Sequence, residues 1–178
     1  MTRLSRFEHS LLPHLDAAYN MARWLTRNDH DAEDVVQESF IRALRYFDRL
    51  EGTDARPWLL GIVRNTCYTW LRKNRPAEMV AVDDIEDLPP GIGAESTPTT
   101  SSPEVIVLQS ANRKLVNQAL EELPVAYREV IVMREIEDMS YKDIAAVAGI
   151  PMGTVMSRLS RGRELLKHAI ENRLKRAS

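Results

Sequence analysis

Between positions 64 and 73, Arg64, Asn65, Tyr68, Thr69, Arg72 and Lys73 recur at one- to four-residue steps. On a helix that pattern gathers them on one face. Together they can bind an unpaired nucleic-acid strand: the cations hold phosphate, the tyrosine ring stacks on a base, and the amide reads a base edge. A solvated amphipathic face would have the same composition, so this set is open until the rest of the chain is read. A second set lies in residues 140–163. There Thr154, Met156, Ser157, Arg158, Ser160 and Arg161 stand on or beside the outer face of a predicted helix. The opposite stripe, Val155, Leu159, Gly162 and Leu166, is apolar or small. A third set, Asp34, Gln37, Glu38 and Arg42, forms a polar helix face. His30, Asp34 and Glu38 also fall at i, i+4 and i+8 and could be read as metal ligands, but no second cluster completes such a site. The chain has no P-loop and no Ser–His–Asp grouping, so no cofactor, metal or catalytic residue is assigned.

The elements that must position these residues are helices. Ser140 can cap a short helix carrying Ile144, Ala145 and Ala148, and Asp143 suits its first turn. Gly149 marks its end, where a left-handed residue is needed, and Pro151 fits just ahead of the next helix. Two helices joined this way form a helix-turn-helix, whose second member fits the DNA major groove; an ordinary helical hairpin is the competing reading. Upstream, residues 4–26 have helical periodicity broken by Pro13. Asp31 is expected to cap the next helix, which buries Val36, Phe40, Leu44 and Phe47. A loop, residues 49–54, contains Arg49 and Gly52, and its last residue, Asp54, can cap a helix over 55–73. Residues 104–123 predict a helix, and Pro124 starts another that ends near Asp138 with Val130, Ile131 and Ile136 inside.

The net charge of −2 conceals a pattern. Residues 1–75 hold twelve Lys/Arg and ten Asp/Glu, and residues 112–178 hold twelve and nine. Between them, 76–111 hold seven acids and no Lys or Arg. Two basic ends joined by a negative strap suggest two nucleic-acid-facing units. The strap, with Pro89-Pro90-Gly91 and the run 96–103, has linker composition. The expected fold is all-α: two small helical domains, 1–75 and 104–178, joined by a flexible acidic linker, 76–103, with the helix-turn-helix in the second. Cys67 is the only cysteine, so no internal disulfide can form. No apolar run approaches membrane-spanning length and the N-terminus lacks a signal-peptide core, which points to a cytoplasmic protein without membrane insertion.

Four blocks carry a resemblance to the extracytoplasmic-function (ECF) group of bacterial sigma factors. Residues 31–44 (DAEDVVQESFIRAL) resemble the core-polymerase-binding helix of that family, and 58–66 (WLLGIVRNT) its promoter-melting helix. Residues 123–130 (LPVAYREV) and 153–161 (GTVMSRLSR) resemble the C-terminal sigma domain. The resemblance implies a non-enzymatic initiation factor, monomeric when free, whose partners are core RNA polymerase, promoter DNA and an anti-sigma factor. It implies that Asp34, Gln37 and Glu38 meet the polymerase clamp. It also implies that the loop with Arg49, Gly52 and Asp54 receives a flipped −10 base near Arg64, Asn65 and Thr69, while Thr154 to Arg161 read the −35 element. The acidic strap would thread towards the RNA exit path and mimic RNA. Many relatives carry arginine where this chain has Met156; a bidentate contact to guanine is excluded there, and a thymine methyl becomes the available target. Two readings compete: a stand-alone helix-turn-helix regulator, which leaves the Arg64–Lys73 face unexplained, and a metal-dependent enzyme.

Overall fold

The computed structural model describes residues 1–50, 52, 54–83 and 103–177. Among them every regular element is helical. The first unit runs α1 (Arg3–Leu11), α2 (Leu15–Thr26), α3 (Asp29–Arg45), α4 (Ala55–Asn74) and α5 (Pro76–Asp83). The second runs α6 (Pro103–Glu121), α7 (Val125–Ile131), α8 (Tyr141–Ala148) and α9 (Met152–Ala177). The boundaries follow local chemistry. Pro13 falls in a single 3₁₀ turn, Leu12–His14, that parts α1 from α2. The N-cap of α3 is Asn28, not Asp31: the Asn28 side chain accepts from the Asp31 backbone N–H, and Asp29 and Asp31 occupy the first turn. The 49–54 loop opens with a 3₁₀ turn, Phe47–Leu50, and α4 begins under Asp54, which accepts from the Arg56 N–H.

The helix-turn-helix forms as the sequence predicts. Ser140 accepts from the Asp143 N–H, and Gly149 closes α8 at φ 68°. No L side chain adopts that conformation cheaply, although the space around a Cβ at Gly149 is open. Gly149→Ala should therefore cost about 1–2 kcal/mol through backbone strain alone. A chemical-denaturation curve checks this, and an unchanged midpoint would contradict it. Further on, Gly162 lets α9 lie close on α7; a Cβ there would stand 2.9 Å from Ile131 Cδ1.

Two further expectations are corrected. The segment from Pro124 ends near Asp138, but α7 gives way to one π turn, Val132–Ile136, and Ile136 is exposed rather than inside. Two residues past the π turn, Asp138, a non-glycine residue, takes φ 50° where the chain turns towards α8. The first residues of the expected linker form helix α5: Met79 packs on the core and Glu78 pairs with Arg27. Residues 84–102, with most of the acidic strap, lie outside the described residues.

The units do not stand apart. One apolar core runs through both, from Leu11, Met21, Leu59 and Val63 to Val130, Met133, Ile144 and Leu159. Helix α4 lies at its centre, packed by α2 and α3 on one side and by α8 on another. At the contact with α8, a Cβ on Gly61 would stand 4.0 Å from Val147 Cα.

Candidate nucleic-acid interface

Helix α4 is covered on most of its circumference because it is the central helix. One strip remains in solvent: Asn65, Thr69, Arg72 and Lys73 are exposed, with two cations in the last two turns. The Thr69 hydroxyl donates to the Asn65 carbonyl at 3.0 Å, which fixes its rotamer and leaves its lone pairs outward. At the start of α4, Gly52 takes φ 77° and Arg49 lies exposed with its guanidinium 4.8 Å from the Tyr46 ring centre. Asp54 is exposed, but its carboxylate is engaged in capping. Beside this turn is an open cleft of about 420 Å³, lined by Phe47, Asp48, Leu50 and Ala55 with Arg6 and His9 of α1.

Arg64 and Tyr68 do not join this strip, contrary to the sequence expectation. Both face the second unit. Arg64 Nε and Nη2 donate to the two carboxylate oxygens of Glu129 on α7, at 2.9 and 3.1 Å. Its guanidinium lies 3.8 Å from the Tyr68 ring centre. Tyr68 is 3 % exposed and Glu129 0 %. The reason is periodicity itself: residues 64 and 68 share a face one turn apart, and that face is covered by α7 and α8. Burial works against the Arg64 charge, but Glu129 outweighs it and the guanidinium is held more firmly protonated than usual. Burial, then the Glu129 charge, push the Tyr68 phenol and the Cys67 thiol up, so Cys67 is inert as a nucleophile.

Further polar ties cross the same boundary, and sequence reading missed them. Glu137, just after the π turn, accepts from Arg56 Nη2 at 3.0 Å and from Asn20 Nδ2 at 3.5 Å. Arg23 pairs with Glu121 at 3.6 Å. Arg128 is buried and donates to the carbonyls of Glu121 and Leu123 at 3.1 and 2.7 Å, and to that of Leu25 at 3.4 Å. A cation there offsets the negative ends of α6 and α2. Burial and the nearby Arg27 lower its pKa to about 10, still charged at neutral pH. The available signal was Arg128-Glu129 inside an otherwise apolar run: charges in such a run need partners.

On α9 the outer face is as expected in part. Met156 and Arg161 are exposed, and Thr154, Ser157 and Ser160 are half-buried. Arg158 is 8 % exposed, so it does not stand on the outer face with them as the sequence pattern suggested. On α3, Asp34, Gln37 and Glu38 are all exposed, and Glu38 pairs with Arg42 at 3.0 Å. Among the described residues no three His, Cys, Asp or Glu side chains stand together as metal ligands. No described helix is long and apolar enough to cross a membrane.

Residues 12–77 match the family Sigma-70 region 2, and residues 113–166 match Sigma-70, region 4. The ECF RNA polymerase sigma factor SigE of Mycolicibacterium smegmatis is 35% identical over 86% of this chain, which spans 57% of that relative's length. The ECF RNA polymerase sigma-E factor of Haemophilus influenzae is 35% identical over 85% of this chain and 79% of its own. Among solved structures, the sigma factor RpoE in complex with the anti-sigma factor NepR, from Bartonella quintana, superposes with a TM-score of 0.67 at 29% identity, covering 93% of this chain and 97% of that one. CnrH in complex with the cytosolic domain of CnrY gives 0.61 at 25% identity, over 93% and 88%.

Proposed function

Because this chain belongs to the ECF group of sigma-70 factors, we propose that it binds core RNA polymerase and directs initiation at promoters with matching −10 and −35 elements, under the control of an anti-sigma factor. The observation that carries this reading is the order of the two family matches on one chain, the first over a helix face with exposed Arg72 and Lys73 and the second over the helix-turn-helix. Residues 1–75 would serve the polymerase and the −10 element, 104–178 the −35 element, and 76–103 would connect them. The polymerase supplies the chemistry, so the chain itself works in the cytoplasm as a non-catalytic factor.

Asp34, Gln37 and Glu38 offer the clamp a rigid polar face on α3. Asn65, Thr69, Arg72 and Lys73 would offer the melted strand phosphate and base-edge contacts, and Arg49, Gly52 and Asp54 with the adjoining cleft would take a flipped base. Arg64 and Tyr68 would join them only after α4 leaves α7. The test is transcription by core polymerase plus this protein on a promoter library. A stand-alone regulator would instead shift duplex DNA without polymerase and give no promoter-specific transcript.

Strand opening can be tested separately. Asn65→Ala with Thr69→Ala should leave closed complexes intact and slow opening by about tenfold, the scale of a lost base contact. A pre-melted promoter should restore part of the rate. No rescue on that template would remove these two residues from strand opening.

A further inference from the structure

Resting on the assignment of α9 to the −35 element, we propose that Met152 and Met156 read the C5 methyl groups of pyrimidines in the major groove. Thymine would supply that methyl in ordinary DNA, and 5-methylcytosine would present the same group at the same place.

The inference starts from what the first two turns of α9 hold out to solvent. Met152 is 45 % exposed and Met156 48 %. At i and i+4 they lie on one face, about 6 Å apart along the axis. Base pairs rise about 3.4 Å, so the two thioether tips reach pairs one or two steps apart. Gly153 between them has no neighbour within 4 Å of a would-be Cβ, so no side chain keeps the groove edge away. The N-terminal residues of such a helix are the ones that meet base edges.

Two of the hydrogen-bonding side chains nearby are engaged and a third is buried. The Ser157 hydroxyl donates to the Thr154 carbonyl at 3.1 Å. Arg158 is buried. Arg161, more than a turn farther on, pairs with Glu164 at 3.1 Å. Beside half-buried Thr154, what the tip of the helix holds furthest into solvent is apolar, flexible and polarisable, and the one apolar group the major groove presents is the thymine methyl.

The test uses holoenzyme assembled from core polymerase and the full chain. At each −35 position thymine is replaced by uracil, which removes only the methyl, and cytosine by 5-methylcytosine, which adds only the methyl. Two positions no more than two pairs apart should lose about fourfold in initiation on thymine-to-uracil replacement, the scale of one buried methyl. At those positions 5-methylcytosine should outperform cytosine by a similar factor. Met152→Ala should abolish the sensitivity at one position and Met156→Ala at the other, while Met156→Leu keeps it. Initiation that is promoter-specific yet indifferent to the methyl at every −35 position overturns the inference and leaves the sigma-factor reading standing. So does methyl sensitivity that survives in the double alanine variant, or a loss in that variant that is uniform across sequences. If no promoter-specific initiation occurs, both fall together.

Discussion

Glu129→Gln is expected to loosen the two units from one another and to raise binding of the free chain to single-stranded −10 DNA. The substitution removes the carboxylate that both Arg64 donors use and leaves a guanidinium, 16 % exposed, against a neutral amide. Losing one partner of a buried pair costs about 3–5 kcal/mol, because the other charge stays desolvated. Even about 2.8 kcal/mol would shift the balance between joined and parted units a hundredfold. Spin labels or fluorophores on α3 and α9 would report the separation. The companion variant, Arg64→Met with Glu129→Leu, exchanges the pair for apolar contact and should stay as compact as the wild type. A Glu129→Gln chain with unchanged inter-unit distances would show that the apolar contact of α4 with α8 holds the units without the ion pair.

The triple variant Asp34→Ala, Gln37→Ala, Glu38→Ala should lose about a hundredfold or more in affinity for core polymerase, as when several central polar contacts of an interface are truncated. Its own stability should change little. All three side chains are exposed, and only the Glu38–Arg42 pair is lost, worth about 0.3–0.5 kcal/mol on a helix surface. Affinity and melting temperature measured on the same preparation separate the two effects. A folded triple variant that binds polymerase as well as the wild type would remove α3 from the interface.

Local chemistry made much of the fold legible. Pro13, Asp54, Ser140 and Gly149 act at the positions where their backbone preferences and side-chain acceptors place them. The stripe Val155, Leu159 and Gly162 is buried as its spacing requires. What sequence could not reveal was which covered face is covered by what. The α4 pattern puts Arg64, Asn65, Tyr68 and Thr69 close together, yet a rotation of one residue, about 100°, separates solvent from the α7 boundary. Asn65 and Thr69 fall on one side of that line and Arg64 and Tyr68 on the other. Arg158 is buried for the same reason: a position flanking Leu159 can be outer face or interior, and the packing of α9 on α7 decides it. Asn28 displaced Asp31 as a cap because the helix begins three residues earlier, leaving Asp31 to donate its N–H rather than supply the acceptor.

The α7–α4 boundary makes each unit a competitor for its neighbour's partners. Both ride on one chain, so the second unit meets the first at an effective concentration on the order of millimolar, set by the tether and not by how much protein is present. Dilution therefore cannot part them. Polymerase, DNA or an anti-sigma factor must outbid that local concentration, and the apparent affinity of any partner that needs the α7-facing side of α4 is scaled down by the fraction of chains already parted. Tether length then becomes a control on potency. Doubling the 84–102 strap with neutral residues should lower the effective concentration about threefold, following the −3/2 power of length, and strengthen apparent binding with no change at any contact.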